Sequence, residues 1–309
     1  MKKTLEFDLI ILGGGIAGMT AAIFSARSNL KTVILEKQAC GGLANWTSKV
    51  ENFPSHMAIS GMELMDKVLA QVKKLGVTVD ESFEINSLSI DGPVKSVVTE
   101  EAVYIGKAII LATGREPIRL PINTDCEFIH YCSVCDGNAY AGKKVMVVGG
   151  GNSGFDESLY LLSLGVKEII LVEAMEECCA AECLQDKLCC HESVSIKKST
   201  AVIAIMQKEK KVCVTLKDLC DNKEEEILVD GVFVFIGQKP GTKSFQGMVA
   251  LDDYGYILAN SSRETNLPGV FAAGDVVQKE YRYLTTAMAD GTIAALAAEK
   301  YINSINPSS

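Results

Sequence analysis

One unit occurs twice in this chain and restricts its fold more than any other feature: an apolar strand, a Gly-x-Gly-x-x-Gly turn, a helix, and a second strand ending in an acid. In the first copy Phe7-Asp8-Leu9-Ile10-Ile11-Leu12 is the buried-strand run and Gly13-Gly14-Gly15-Ile16-Ala17-Gly18 the turn. Met19 to Ser28 reads as helix, and Thr32-Val33-Ile34-Leu35-Glu36 closes the unit. Gly13 suits the tight turn, Gly15 lets a pyrophosphate approach the backbone, and Gly18 allows helix to pack on strand. The helix N-terminus faces the phosphates, and Glu36 stands where a carboxylate can accept from both hydroxyls of an adenosine ribose. The second copy runs through Lys144-Val145-Met146-Val147-Val148, then Gly149-Gly150-Gly151-Asn152-Ser153-Gly154, a helix-like run to Gly165, and Glu168-Ile169-Ile170-Leu171-Val172-Glu173. A bare glycine pattern is weak evidence; strand, helix and acid in their places make it strong.

Two such units predict an α/β chain of two dinucleotide-binding, Rossmann-like three-layer domains, one for a flavin dinucleotide and a sister built on the same plan. Ala108-Ile109-Ile110-Leu111-Ala112-Thr113-Gly114 is a buried strand ending in a small-residue turn, and Arg115-Glu116-Pro117 reads as a linker. Gly231 to Gly237, followed by Pro240-Gly241, closes the second domain. Gly269-Val270-Phe271-Ala272-Ala273-Gly274-Asp275 and an Ala-rich helix, about Leu284 to Tyr301, return to the first. The second domain is therefore inserted: 1–116 with 243–309 form one, 117–242 the other. A length of 309 residues at 48% hydrophobic can bury two cores, and 22% charged residues argue against disorder. A net charge of −9 excludes nucleic acid as an expected partner. The start Met1-Lys2-Lys3-Thr4-Leu5-Glu6 carries no signal-like apolar region, and no run is long enough to span a bilayer. With no secretory signal, the 11 cysteines predict a reducing, cytoplasmic setting in which most thiols stay free.

Between the two fingerprints lies Cys132-Ser133-Val134-Cys135-Asp136-Gly137. Thiols spaced Cys-x-x-Cys can close and reopen a small disulfide, holding two electrons for another disulfide, and Asp136 can handle the proton of that exchange. Alone, the pair could equally be half a zinc site; its setting between nucleotide fingerprints favours the redox reading. A second dense stretch, Cys178, Cys179, Cys183, Cys189 and Cys190 with His191, matches no metal-ligand spacing, although Cys179 and Cys183 would share a helix face. Cysteines serving as small hydrophobes in a reducing cell are the simpler account, and no metal is expected. Trp46 stands in a turn region where it could shield a ring or merely pack. His56 and His130 have no paired acid in the sequence pattern and receive no catalytic role, and Tyr131 is read as packing.

Taken together, these residues resemble the low-molecular-weight, bacterial-type thioredoxin reductases along nearly the whole chain. The matching stretches are Gly13 to Gly18, Gly41-Gly42, Val50-Glu51-Asn52-Phe53-Pro54, Ala112-Thr113-Gly114, Cys132 to Gly137, Gly149 to Ser153 and Gly274-Asp275. The resemblance implies FAD in the first domain, the active disulfide in the second, thioredoxin as partner and a homodimer. It also implies that Asn52 lies by the flavin ring, that Asp275 beside Gly274 binds the ribityl chain, and that Arg282, Tyr283 and Leu284 contact the isoalloxazine. Cofactor contacts are expected as well from Ile16, Ala17, Lys37, Gly41, Gly42, Leu43, Ala112, Thr113 and Gly114. Leu43 stands where the family commonly has Gln. By the same resemblance Cys135 is the sulfur nearer the flavin and Cys132 the more exposed exchange thiol. Two linkers at one place suit rotation of the inserted domain.

The second domain departs from the NADPH-using members. Their His-Arg-Arg run, which grips the 2′-phosphate, is replaced by Glu173-Ala174-Met175-Glu176-Glu177-Cys178-Cys179. Each lost charged hydrogen bond forfeits roughly 1.5–3 kcal/mol. The favoured expectation is reduction by ferredoxin, as in the ferredoxin-dependent flavin thioredoxin reductases of anaerobic bacteria. Lys197-Lys198 and Lys208 to Lys211 are candidates for docking that acidic donor. The alternative is NADH, with Glu173 on a ribose diol; NADPH ranks last. A reading from another class is a redox-sensing flavoprotein without catalysis, against which the intact Cys-Ser-Val-Cys-Asp set argues.

Overall fold

The computed structural model describes residues 2–81 and 84–305. Two compact units result: Met1–Glu116 with Lys239–Ser309, and Pro117–Gln238. The second crossing thus falls at Gln238–Lys239, four residues before the sequence-derived boundary, because Gln238–Pro240 pairs as a strand with Arg115–Pro117.

In the first unit five parallel strands stand in the order Val270–Ala272, Ala108–Leu111, Leu9–Leu12, Thr32–Glu36, Thr78–Glu81. Leu9–Leu12 and Ala108–Leu111 are buried at every position, as expected of central strands covered on both faces. One face carries helices α1 (Ile16–Arg27), α2 (Gly61–Lys74) and α6 (Leu284–Ile305), whose side chains join Leu9, Ile11, Ile34 and Ile110 in one core. The other face packs Ile10, Leu12, Val33 and Leu111 against a four-stranded sheet of Lys3–Glu6, Ala102–Gly106, Lys95–Val98 and Ser87–Ser89. Small residues set the closeness of the helical layer: a Cβ on Gly291 of α6 would stand 2.2 Å from the Ala17 carbonyl oxygen of α1. Helix α1 begins three residues earlier than its apolar run suggests, because Gly15, extended at φ −72° and ψ −179°, is itself the N-cap.

The second unit repeats the plan. Its parallel sheet runs Ile129–His130, Gly231–Val234, Lys144–Val148, Glu168–Val172, Val194–Lys197. The short helix α3 (Ser133–Asp136) precedes α4 (Asn152–Ser163) and α5 (Glu182–Cys189). Tyr140, Val145, Phe155, Leu161 and Leu188 form the core on the helical side, while Met146, Val148 and Ile170 pack on the antiparallel sheet Thr200–Lys208, Lys211–Asp218, Glu224–Val229. The predicted shared face of Cys179 and Cys183 does not exist: α5 starts at Glu182, leaving Cys179 in the preceding loop. Among the described residues no helix is long and apolar enough to cross a membrane.

Candidate active site: a nucleotide cradle, a dithiol turn and a second fingerprint

In the first unit the fingerprint turn needs glycine at both ends. Gly13 has φ +108°, and a Cβ on it would lie 2.3 Å from the Ala112 carbonyl oxygen; one on Gly18 would lie 1.9 Å from the Gly13 oxygen. Around Gly15 and Gly114, by contrast, nothing stands within 4 Å of such an atom. Helix α1 has no side chain capping its start, so the N–H groups of Ile16, Ala17 and Gly18 lack an intrahelical acceptor and face this opening. Glu36 is clasped by the backbone: Oε2 accepts the Gly14 N–H at 2.6 Å and Oε1 the Gln38 N–H at 2.9 Å. Its remaining lone pairs are available to a diol.

Farther along, Gly274 adopts φ +83° and donates its N–H to Asp290 Oδ2 at 3.1 Å. Asp290, only 2% exposed in α6, also holds Lys279 at 2.8 Å and Arg263 at 2.7 Å. Sequence reading missed Asp290; an acid among the small residues of the Ala-rich helix's first half was the available signal. Asp275 takes Arg115 on Oδ2 at 3.2 Å, while its buried Oδ1 makes no hydrogen bond and faces the Lys279 ammonium at 3.7 Å. The Nε atoms of Arg115 and Arg282 and Oδ1 of Asn45 are likewise buried and unpartnered, and the Arg282 guanidinium lies 4.1 Å over the Tyr256 ring. Buried polar atoms without hydrogen bonds in this unit, together with the open space around Gly15 and Gly114, fit a dinucleotide with a polar chain such as FAD. Of the other expected contacts, Gly41 is buried, Leu43 and Trp46 are half-buried in the turn Gly42–Trp46, and Leu284 packs into the core. Thr113 donates to the Gly241 oxygen at 2.8 Å. Asn52, Lys37 and Tyr283 are exposed.

The dithiol stands in the second unit as a closed Cys132–Cys135 disulfide, Cα to Cα 5.4 Å. Cys132 caps α3, accepting the Cys135 N–H on sulfur at 3.1 Å. Cys132, the capping sulfur, is drawn under the turn and is 6% exposed, whereas Cys135 lies on the surface of the second unit. Beneath the turn the fully buried Ser133 hydroxyl and Oε2 of Glu157, on α4, have no hydrogen-bond partner. Burial pushes the Glu157 carboxyl up to about 7, the nearby Ser133 hydroxyl opposing and the Asp156 charge adding to the rise. Asp136 is not alone: its Oδ2 lies 3.2 Å from Nδ1 of His130, whose Nε2 is 2.6 Å from the Tyr140 hydroxyl. His130, given no role above, does have an acid, six residues onward, which the α3 turn brings back to it.

The second fingerprint reproduces the first in detail. A Cβ on Gly149 (φ +119°) would meet the Phe235 carbonyl oxygen at 2.3 Å, and one on Gly154 the Gly149 oxygen at 1.8 Å. Glu173 is clasped as Glu36 is, taking the Gly150 N–H on Oε2 and the Met175 N–H on Oε1. Beyond it Met175, Glu176, Glu177 and Cys179 are exposed, and the Lys198 ammonium is bonded to Glu177. Lys197 pairs with Glu225 at 2.7 Å, Lys208 with Glu226 at 3.7 Å and Lys211 with Asp230 at 3.8 Å, so these lysines carry their own counter-charges. Among the described residues no group of three or more His, Cys, Asp or Glu could hold a metal ion.

The family model for pyridine nucleotide-disulphide oxidoreductases matches residues 7–291. A protein described as a 34.2 kDa protein in the rubredoxin operon of Clostridium pasteurianum is 39% identical over 306 residues, covering 98% of this chain and 99% of its own. The thioredoxin reductase of Listeria monocytogenes is 36% identical over 308 residues, with 98% and 96% covered. Among solved structures, the thioredoxin reductase of Lactococcus lactis superposes with a TM-score of 0.88 at 33% identity over 96% of this chain and 99% of its own. That of T. acidophilum gives 0.85 at 32% identity, over 97% and 99%.

Proposed function

The chain belongs to the pyridine nucleotide-disulphide oxidoreductases, in their low-molecular-weight thioredoxin reductase branch, and on that premise we propose that it reduces the disulfide of a thioredoxin through Cys132 and Cys135. FAD, the cofactor of this family, supplies chemistry that links a two-electron or one-electron donor to a disulfide. In this reading the α1 N-terminus and the Gly13–Gly18 turn hold its pyrophosphate, Glu36 its adenosine ribose, and Asp275 its ribityl chain, on the first unit (1–116 with 239–309).

Reduction adds two electrons and two protons to the Cys132–Cys135 disulfide, giving two thiols. The observation that carries the reading is the closed Cys132–Cys135 disulfide on the α3 turn, directly before Asp136. The exposed thiolate attacks one sulfur of the partner disulfide, forms a mixed disulfide and expels the partner's other sulfur as thiolate. Cys132 then attacks Cys135, closing the ring and releasing the partner as a dithiol. Asp136 exchanges the proton.

For the donor, the geometry favours NADH: Glu173 is clasped as Glu36 is, at an intact glycine turn, and the Lys198 ammonium is held by Glu177 rather than left for a 2′-phosphate. Reduced ferredoxin is the second reading, supported by Glu176 and Glu177 in place of arginines; the paired lysines weaken its docking case. Stopped-flow bleaching of the flavin by NADH, NADPH and reduced ferredoxin, coupled to thioredoxin reduction, tests the assignment. Fast NADPH bleaching would overturn the donor reading, and no disulfide turnover with any donor would favour the redox-sensing alternative. A homodimer and a cytoplasmic setting are proposed from the resemblance, the former open to sedimentation.

A further inference from the structure

His130 ends the strand Ile129–His130 beside Gly231–Val234, its ring 5.2 Å from that of Tyr140 and 5.0 Å from that of Phe233. Only one arrangement of protons on a neutral imidazole serves both of its polar contacts. Tyr140 O–H donates to Nε2, and Nδ1–H donates to Asp136; the other tautomer would aim a lone pair at a carboxylate. Burial favours that neutral ring, holding the His130 pKa below the ordinary histidine value, while Asp136 pulls it upward. Burial also pushes the Tyr140 phenol up to about 12, so it keeps its proton and serves as donor. The groups facing this chain are few: Asp136 on α3, Cys126 and Asp230 near the phenol, and Lys143, 5.1 Å over the Tyr140 ring.

We propose that His130, backed by Tyr140, is a positioning residue for the dithiol chemistry: it holds the carboxylate that follows Cys135 in one place and controls whether that carboxylate can take a proton. The inference rests on the disulfide-reductase reading above. When the Cys135 thiol gives up its proton to become the attacking thiolate, the ionised Asp136 accepts it; the proton returns to the thiolate that the partner disulfide releases. With a neutral His130 the carboxylate is oriented and free to accept. Protonation places a cation beside it, lowers its basicity and slows exchange, giving an acid limb that belongs to the histidine.

Two measurements on the holoprotein test this. Exchange of the reduced protein with an aromatic disulfide is followed in stopped flow across the acid to mildly alkaline range. His130→Ala should slow exchange about tenfold at neutral pH, the effect of one lost charged hydrogen bond, and erase the acid limb. His130→Asn, whose amide can still donate to Asp136, should recover most of the rate without the limb. Tyr140→Phe keeps the ring and removes the donor to Nε2, so the limb should move to higher pH. In parallel, the ring resonances of His130, one of 3 histidines in the chain, should titrate lower in Asp136→Asn than in the parent. An active His130→Ala or His130→Asn protein with the parental limb, or a His130 midpoint unmoved by Asp136→Asn, overturns the proposal. Absence of any exchange in the parent would sink the reductase reading itself, a different failure.

Discussion

Glu157 offers the most quantitative check on the dithiol turn. Its carboxyl is pushed up to about 7 from the ordinary glutamate range near 4.5, chiefly by burial. Between those two values the folded chain keeps a proton that the unfolded chain has released. Stability therefore falls as pH rises through this window, and the full cost is present above it. Each unit of displacement corresponds to about 1.4 kcal/mol, or about 3 kcal/mol in all if the group were wholly shielded; its partial contact with solvent reduces this to about 2 kcal/mol. Glu157→Gln has the shape of the neutral acid and does not titrate. The variant should gain little at about pH 5 and about 2 kcal/mol at about pH 8. Chemical unfolding of the holoprotein at both pH values measures the difference. Trp46, the only tryptophan, lies in the first unit, so far-UV dichroism alongside its fluorescence separates the transition of the second. An equal stability change at the two pH values, or a variant less stable at the higher one, would refute the reasoning.

Further outcomes are expected at other positions. Cys132→Ser and Cys135→Ser should each abolish disulfide turnover while the yellow flavin spectrum persists. Only Cys132→Ser should accumulate a mixed disulfide with thioredoxin, because the exposed sulfur remains; trapping by Cys135→Ser instead would reverse the assignment. Glu173→Ala should raise the KM for NADH at least about tenfold, the loss of a charged hydrogen bond worth roughly 1.5–3 kcal/mol, and leave ferredoxin-driven reduction unchanged. Gly18→Ala would force a Cβ to within 1.9 Å of the Gly13 oxygen, so this protein should purify with little flavin and lose at least about 2 kcal/mol of stability; full flavin retention would argue that the turn relaxes freely.

What could be read from the chain alone was local or periodic. Apolar runs, glycine spacing and terminal acids define both fingerprints, since a turn that requires positive φ at Gly13 and Gly149 is written into the residues that form it. The Cys-x-x-Cys pair and the inserted arrangement were legible for the same reason. What only the tertiary structure decided depends on which side chains the sheets bring together. His130 meets Asp136 because α3 turns back on its strand. Asp290 meets Gly274 because α6 crosses the end of the first sheet. The burial that raises Glu157 exists only once α4 lies under Ser133. Lysines that looked available in sequence found carboxylates across the antiparallel strands, Lys197 with Glu225 and Lys208 with Glu226. Which of the two sulfurs faces solvent was likewise outside the reach of spacing. Both lie three residues apart on one turn, and exposure follows from what the turn packs against.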